Sequence, residues 1–145
     1  MRSKGANDVG RFAVQFDVAN HIDVIDSQRG LLDPDKVRRL TISGVVDSGA
    51  TRLVLPEQVV KQLGLPSRGK VKVRYANNHT ATRNAVEEVY VQLLGRHGVF
   101  TAVVEPKRQT ALIGAIVLED LDFVVDCTQQ RLVPRDPRFV VSEIE

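Results

Sequence analysis

The side chain best placed to do chemistry in this sequence is a single carboxylate. The stretch Gly44-Val45-Val46-Asp47-Ser48-Gly49-Ala50-Thr51-Arg52-Leu53-Val54-Leu55-Pro56 sets Asp47 at the end of an apolar run and follows it at once with Ser-Gly-Ala. A carboxylate at the edge of a core is costly unless donors or a partner charge stabilise it. Two roles answer that cost. Asp47 caps a turn, since Asp-Ser-Gly is ordinary turn chemistry, or it is held in a cleft as a general acid or base. In the second case the strand carries the carboxylate inward and Gly49 permits a tight turn whose backbone N–H approaches it. The hydroxyls of Ser48 and Thr51 then brace the loop.

Other candidates carry less. Cys127 is the sole cysteine, which excludes an intrachain disulfide and argues against a cysteine-based metal site. His79 sits in Asn78-His79-Thr80, which has the form of a glycosylation acceptor, and it reads as a solvated turn residue. Arg68, Lys70, Lys72 and Arg74 recur at every second position. On a strand they share one face, with Gly69, Val71, Val73 and Tyr75 on the other. That strip reads as a solvated face balanced by Glu87 and Glu88 on the returning strand; the rival reading is a phosphate-binding surface. An aromatic content of 5% with no Trp offers little for base stacking.

The elements that must position these residues are mostly strands. With 145 residues, 43% of them apolar, the chain fits one domain with a real core. A net charge of +2, from 20 basic and 18 acidic residues, is too even to imply nucleic-acid binding. No run approaches the ~18 apolar residues of a membrane span, and the first ten residues lack the apolar stretch of a signal peptide. A soluble cytoplasmic protein with no membrane partner is expected. Residues 1–10 read as a flexible segment, 11–137 as the domain, and 138–145 as a tail.

Within the domain, Arg11 to Val18 reads as a strand that Asn20-His21 turns into Ile22-Asp23-Val24-Ile25, and Val37 to Val46 as a second strand region. Pro56 to Gly64 has a helix's punctuation: Pro56 and Glu57 at its start, Gly64 at its stop. Val71–Tyr75 and Thr82–Leu93 read as a hairpin around Asn77-Asn78. Val99 to Val104 is a further strand, Ala115 to Leu121 one or two helical turns. Phe123–Cys127 and Arg131–Val133 form a terminal hairpin, and Phe139 to Ile144 reads as one more strand. The sum is an all-β, closed or partly closed barrel with one or two short helices.

In this order, Val45-Val46-Asp47-Ser48-Gly49-Ala50-Thr51, a short helix, and Leu112-Ile113-Gly114 followed by a second helix resemble the retropepsin-like aspartic proteases, single-lobed relatives of pepsin, in a bacterial-type form. About 65 residues separate the two elements, which leaves room for a hairpin between them. The resemblance covers roughly Phe12 to Pro134.

It implies that Leu112, Ile113 and Gly114 pack beside an active-site loop of Ser48, Gly49, Ala50 and Thr51. It also implies that Asp47 is catalytic. Family chemistry needs two carboxylates sharing one proton, one acting as base on a water and the other as acid toward the peptide carbonyl. This chain supplies one Asp-Ser-Gly, so the implied enzyme is a homodimer with Asp47 from each protomer, hydrolysing a peptide or protein substrate without metal or cofactor. Ser48 would bond across the two-fold axis. The hairpin between Lys70 and Glu87 would be the flap, with Tyr75, Ala76, Asn77, Asn78 and His79 at its tip against the substrate.

The tip lacks the glycines of retroviral flaps, and Ala115 stands where those enzymes place an arginine. Asp126 reads as structural. Terminal strands, Phe12 to Val18 or Phe139 to Ile144, would interleave in the dimer or fold back on their own sheet. The alternatives are a catalytically silent dimerisation or peptide-binding module of the same fold, or a small nucleic-acid-binding β domain using the Arg68/Lys70/Lys72/Arg74 strip.

Overall fold

The computed structural model describes residues 11–145; the segment 1–10 lies outside the described residues. Nine strands and three short α-helices are found among them, with one 3-10 turn at Pro34–Lys36. In chain order they are β1 (Arg11–Asn20), α1 (His21–Gln28), β2 (Arg39–Asp47), β3 (Leu53–Pro56), α2 (Glu57–Leu63), β4 (Ser67–Arg74), β5 (Thr80–Leu93), β6 (Arg96–Glu105), β7 (Ala111–Ile113), α3 (Ala115–Asp120), β8 (Phe123–Asp126) and β9 (Arg131–Pro134).

Alternation along the strands drives the closure. In β1 Phe16 and Val18 are buried while Gln15 and Asp17 between and beside them are exposed. Successive side chains of a strand point to opposite faces, so each strand offers one apolar face. Strands β1, β2, β7, β3, β6 and β5 pair in a ring that closes through β1 and β5, and β4 extends the sheet outside it. Val18, Val46, Leu53, Leu55, Val89, Val91, Leu93 and Ile113 fill the interior. The result is a closed six-stranded barrel with few short helices, matching a retropepsin-like half-lobe. Strand β5 does two jobs. Residues from Ala85 onward pair with β6 in the barrel, while Thr80 to Asn84 pair only with β4 and project as a hairpin.

Local chemistry sets the ends. Gly64 ends α2 at φ +60, the left-handed region that glycine enters without a Cβ penalty. At the hairpin tip Asn78 takes φ +70, a conformation asparagine tolerates better than most residues. Its N–H donates to the Tyr75 carbonyl at 2.8 Å.

Three local expectations are corrected. Ile22-Asp23-Val24-Ile25 is helical, not a continued strand, because Asn20 caps it: its side chain accepts from the Asp23 N–H at 3.1 Å and donates to the Leu63 carbonyl at 2.9 Å. Phe139 to Ile144 forms no strand in the single chain. Instead Arg135 binds Asp122 at 2.6 Å and the Val140 carbonyl at 3.1 Å, and the Arg96 guanidinium lies over the Phe139 ring. The cations of β4 are not balanced by Glu87 and Glu88. Lys70, Lys72 and Arg74 lie opposite Asn84, Thr82 and Thr80, and Glu88 sits 2.7 Å from His21 Nδ1. Phe12 to Val18 pairs with β2 of its own chain.

Candidate active site

Strand β2 delivers Asp47 to the barrel's end, where the residue is buried. Its Oδ1 accepts the Gly49 N–H at 3.0 Å, and the Ala50 N–H closes the turn on the Asp47 carbonyl at 3.1 Å. A Cβ on Gly49 would sit 3.2 Å from Oδ1, so glycine gives the amide its close approach. Ser48 and Gly49 are exposed at the front of the loop.

Strand β7 and helix α3 secure the rear. β7 lies parallel to β2, with Val45 opposite Leu112 and Val46 opposite Ile113, and Leu112 also pairs with Val54 of β3. The first N–H groups of a helix have no partner inside it. Here two of them find the loop: Ala115 N–H donates to the Ala50 carbonyl at 2.8 Å and Ile116 N–H to the Thr51 carbonyl at 3.0 Å. Gly114 makes this contact possible. A Cβ there would fall 2.5 Å from the Arg52 carbonyl oxygen, 2.8 Å from that of Ala50 and 2.9 Å from the Arg52 nitrogen. Leu112, Ile113 and Gly114 are thus brought against Ser48 to Thr51.

A cavity of about 660 Å³ opens between this loop and the β4–β5 hairpin. Gly49, Ala50, Thr51 and Leu112 form one wall, Val71, Val73 and Tyr75 another. The hairpin is tied down over it. Glu105, at the end of β6, accepts from the Tyr75 hydroxyl and from Arg83 Nε, the latter at 2.8 Å. Burial, and then the Glu105 carboxylate, push the Tyr75 hydroxyl above its ordinary pKa. Of the tip residues, only Tyr75 lines the cavity. Ala76, Asn77, Asn78 and His79 are exposed at the turn, where the Asn77 side chain accepts the His79 N–H at 3.0 Å.

Several residues at the site are invisible to motif reading. Arg11 stands opposite Asp47 in the β1–β2 register, and its guanidinium lies 3.0 Å from Asp47 Oδ2. Arg52, Arg83, Glu105 and Arg108 all line the cavity. Arg52, directly after the Asp47 loop, could have been found from the sequence; the others need strand pairing to be known. Asp126 accepts from the Gln129 N–H at 3.1 Å and faces Arg131, which pins the β8–β9 hairpin. Among the described residues, no group of three His, Cys, Asp or Glu side chains gathers to hold a metal.

Residues 36–120 match the family described as "gag-polyprotein putative aspartyl protease". The matched span runs from the approach to β2 to the end of α3 and includes the Asp47 loop, the hairpin and β7. No curated protein matches the chain.

Proposed function

Because the chain belongs to the family of retroviral-type, gag-polyprotein aspartyl proteases, we propose that it is an aspartic endopeptidase that works as a homodimer. Asp47 of each protomer supplies one of two facing carboxylates. The pair holds one proton: the ionised member draws a proton from a water, and the protonated member donates to the carbonyl oxygen of the scissile peptide. Activity then peaks in mildly acidic solution. Ser48 bonds across the axis to the opposite loop, and the β4–β5 hairpin closes on a peptide bound in extended form.

The observation that carries this reading is the construction of the Asp47 loop. Its rear is bonded to α3 while Ser48 and Gly49 at its front are left exposed, which suits a face that meets its own copy. Exposed apolar residues in the tail, Phe139, Val141 and Ile144, suit pairing with a partner subunit. One observation favours the silent module instead: Arg11 occupies Asp47 Oδ2.

The deciding experiment is cleavage of a random peptide library by wild type and Asp47→Asn, with the oligomeric state measured alongside. Wild-type cleavage by a dimer, lost in Asp47→Asn, supports the reading. Cleavage that survives in the variant, or a cleaving monomer, refutes it.

A further inference from the structure

The cavity between the Asp47 loop and the hairpin is lined by the cations Arg52, Arg83 and Arg108 against one carboxylate, Glu105; Lys72 and Arg74 also border it, with their side chains on the exposed face of β4 opposite Val71 and Val73. Glu105 is already engaged by Arg83 and Tyr75. Arg52 and Arg108 differ from Arg83. Arg52 donates to the Thr101 hydroxyl at 3.2 Å. Arg108 donates to the Thr110 carbonyl at 2.9 Å and to its hydroxyl at 3.2 Å. These acceptors are neutral, and among the described residues neither guanidinium has a carboxylate partner. A guanidinium has five N–H donors, so both keep donors to offer. Arg52 follows the Asp47 loop directly, and Arg108 comes from the β6–β7 connection. Two separate segments therefore bring uncompensated positive charge to one cavity.

Resting on the peptidase reading and narrowing it, we propose that Arg52 and Arg108 determine specificity, selecting substrates with an acidic side chain close to the scissile bond. An arginine takes a carboxylate through two parallel, charge-assisted hydrogen bonds. A peptide lying in the cavity covers these pairs and reduces their screening by salt. Apolar neighbours of the acid meet Val54, Val71 and Val73 on the same walls. In the homodimer the two-fold repeats both cations, so acidic residues are favoured on both sides of the bond.

The test begins with the bond most cleaved in a random peptide library, read by mass spectrometry. Matched synthetic peptides then carry Glu or Gln at each of the three positions on either side of it. At low salt, Glu exceeds Gln in kcat/KM by about tenfold in at least one position, the equivalent of about 1.4 kcal/mol. The ratio falls below about threefold in the Arg52→Gln/Arg108→Gln double variant, and Arg52→Glu turns the preference toward Lys-containing peptides. Equal values for Glu and Gln peptides in wild type, or a Glu preference that survives in the double variant, overturn the proposal. If wild type cleaves nothing, the peptidase reading fails instead. Anisotropy titration of the Asp47→Asn protein with fluorescein-labelled Glu-rich and Gln-rich peptide pools then decides the charge preference by itself. Binding of the acidic pool about tenfold tighter supports it, and equal binding overturns it.

Discussion

Gly114→Ala tests how the Asp47 loop is held. Gly114 lies at φ −90, so the backbone accepts alanine without strain and the cost is steric alone. The added Cβ meets three backbone atoms at 2.5, 2.8 and 2.9 Å, and backbone cannot swing aside as a side chain can. Relief requires α3 to withdraw from the loop, which stretches the 2.8 and 3.0 Å hydrogen bonds from Ala115 and Ile116. Overpacking of this kind costs about 1–3 kcal/mol, and each weakened hydrogen bond adds about 1 kcal/mol. The expected loss is about 3–5 kcal/mol, a large share of the ~5–15 kcal/mol that holds a typical domain together. Urea unfolding reads it directly, and Tm falls by ~10 °C for a chain of this size. Gly95→Ala is the control, since its φ is +81 with nothing within 4 Å of the new Cβ; the left-handed backbone costs ~1–2 kcal/mol. A Gly114→Ala protein no less stable than Gly95→Ala would refute the idea that β7 and α3 grip the loop by close contact.

Three further outcomes follow from the same geometry. Asp23 accepts two hydrogen bonds from the Arg38 side chain, at 2.8 and 3.0 Å, and one from its N–H, and these hold its carboxyl below the ordinary carboxylate pKa. With the folded value below the unfolded one (~3.9), the stabilisation is present above about pH 4 and is lost as pH falls through the folded value. Asp23→Asn therefore costs about 2 kcal/mol at pH 7, and urea midpoints of the two proteins converge as the pH falls through the folded value. Tyr75→Phe removes the hydroxyl that ties the hairpin to Glu105; amide exchange at Tyr75 to Thr80 quickens with less than about 1 kcal/mol change in global stability, and unaltered exchange would show that the tie is not holding the tip. Arg11→Gln releases Asp47 Oδ2. Arg11 is 53% exposed, so the pair is worth at most about 1 kcal/mol and kcat/KM rises no more than about fivefold; a fall instead would mean that Arg11 assists rather than restrains.

Features written in neighbouring residues were legible in the sequence. The Asp47 turn, the hairpin at Asn77-Asn78 and the helix closed by Gly64 each depend on a few adjacent side chains, so the chain announces them. What depends on register was hidden. Arg11 reaches Asp47 only because β1 and β2 pair in one particular alignment. Arg83 meets Glu105 only once β5, β6 and the hairpin are in place. The irregular pairing between Val86 and Val89, with Glu88 at φ +62, takes Glu87 and Glu88 away from the cations of β4. Ile22-Asp23-Val24-Ile25 is too short for its apolar pattern to separate strand from helix, and the deciding signal was Asn20 three residues before Asp23. The tail from Phe139 to Ile144 has a strand's composition, but a closed ring leaves few edges for it to join.

The order β2-β7-β3 has a consequence for how the molecule comes into being. Strands β2 and β3 flank the five-residue loop Ser48–Arg52, yet they are not bonded to each other; β7 is wedged between them. A growing chain therefore carries Asp47 long before it carries Ala111 to Ile116, and until those residues arrive the two strands have no seam to close on. Such distant pairings form late. Newly made chains thus leave the Asp47 loop without its grip until nearly the whole domain has been made; on the peptidase reading, that delay keeps an unfinished chain from cutting its neighbours.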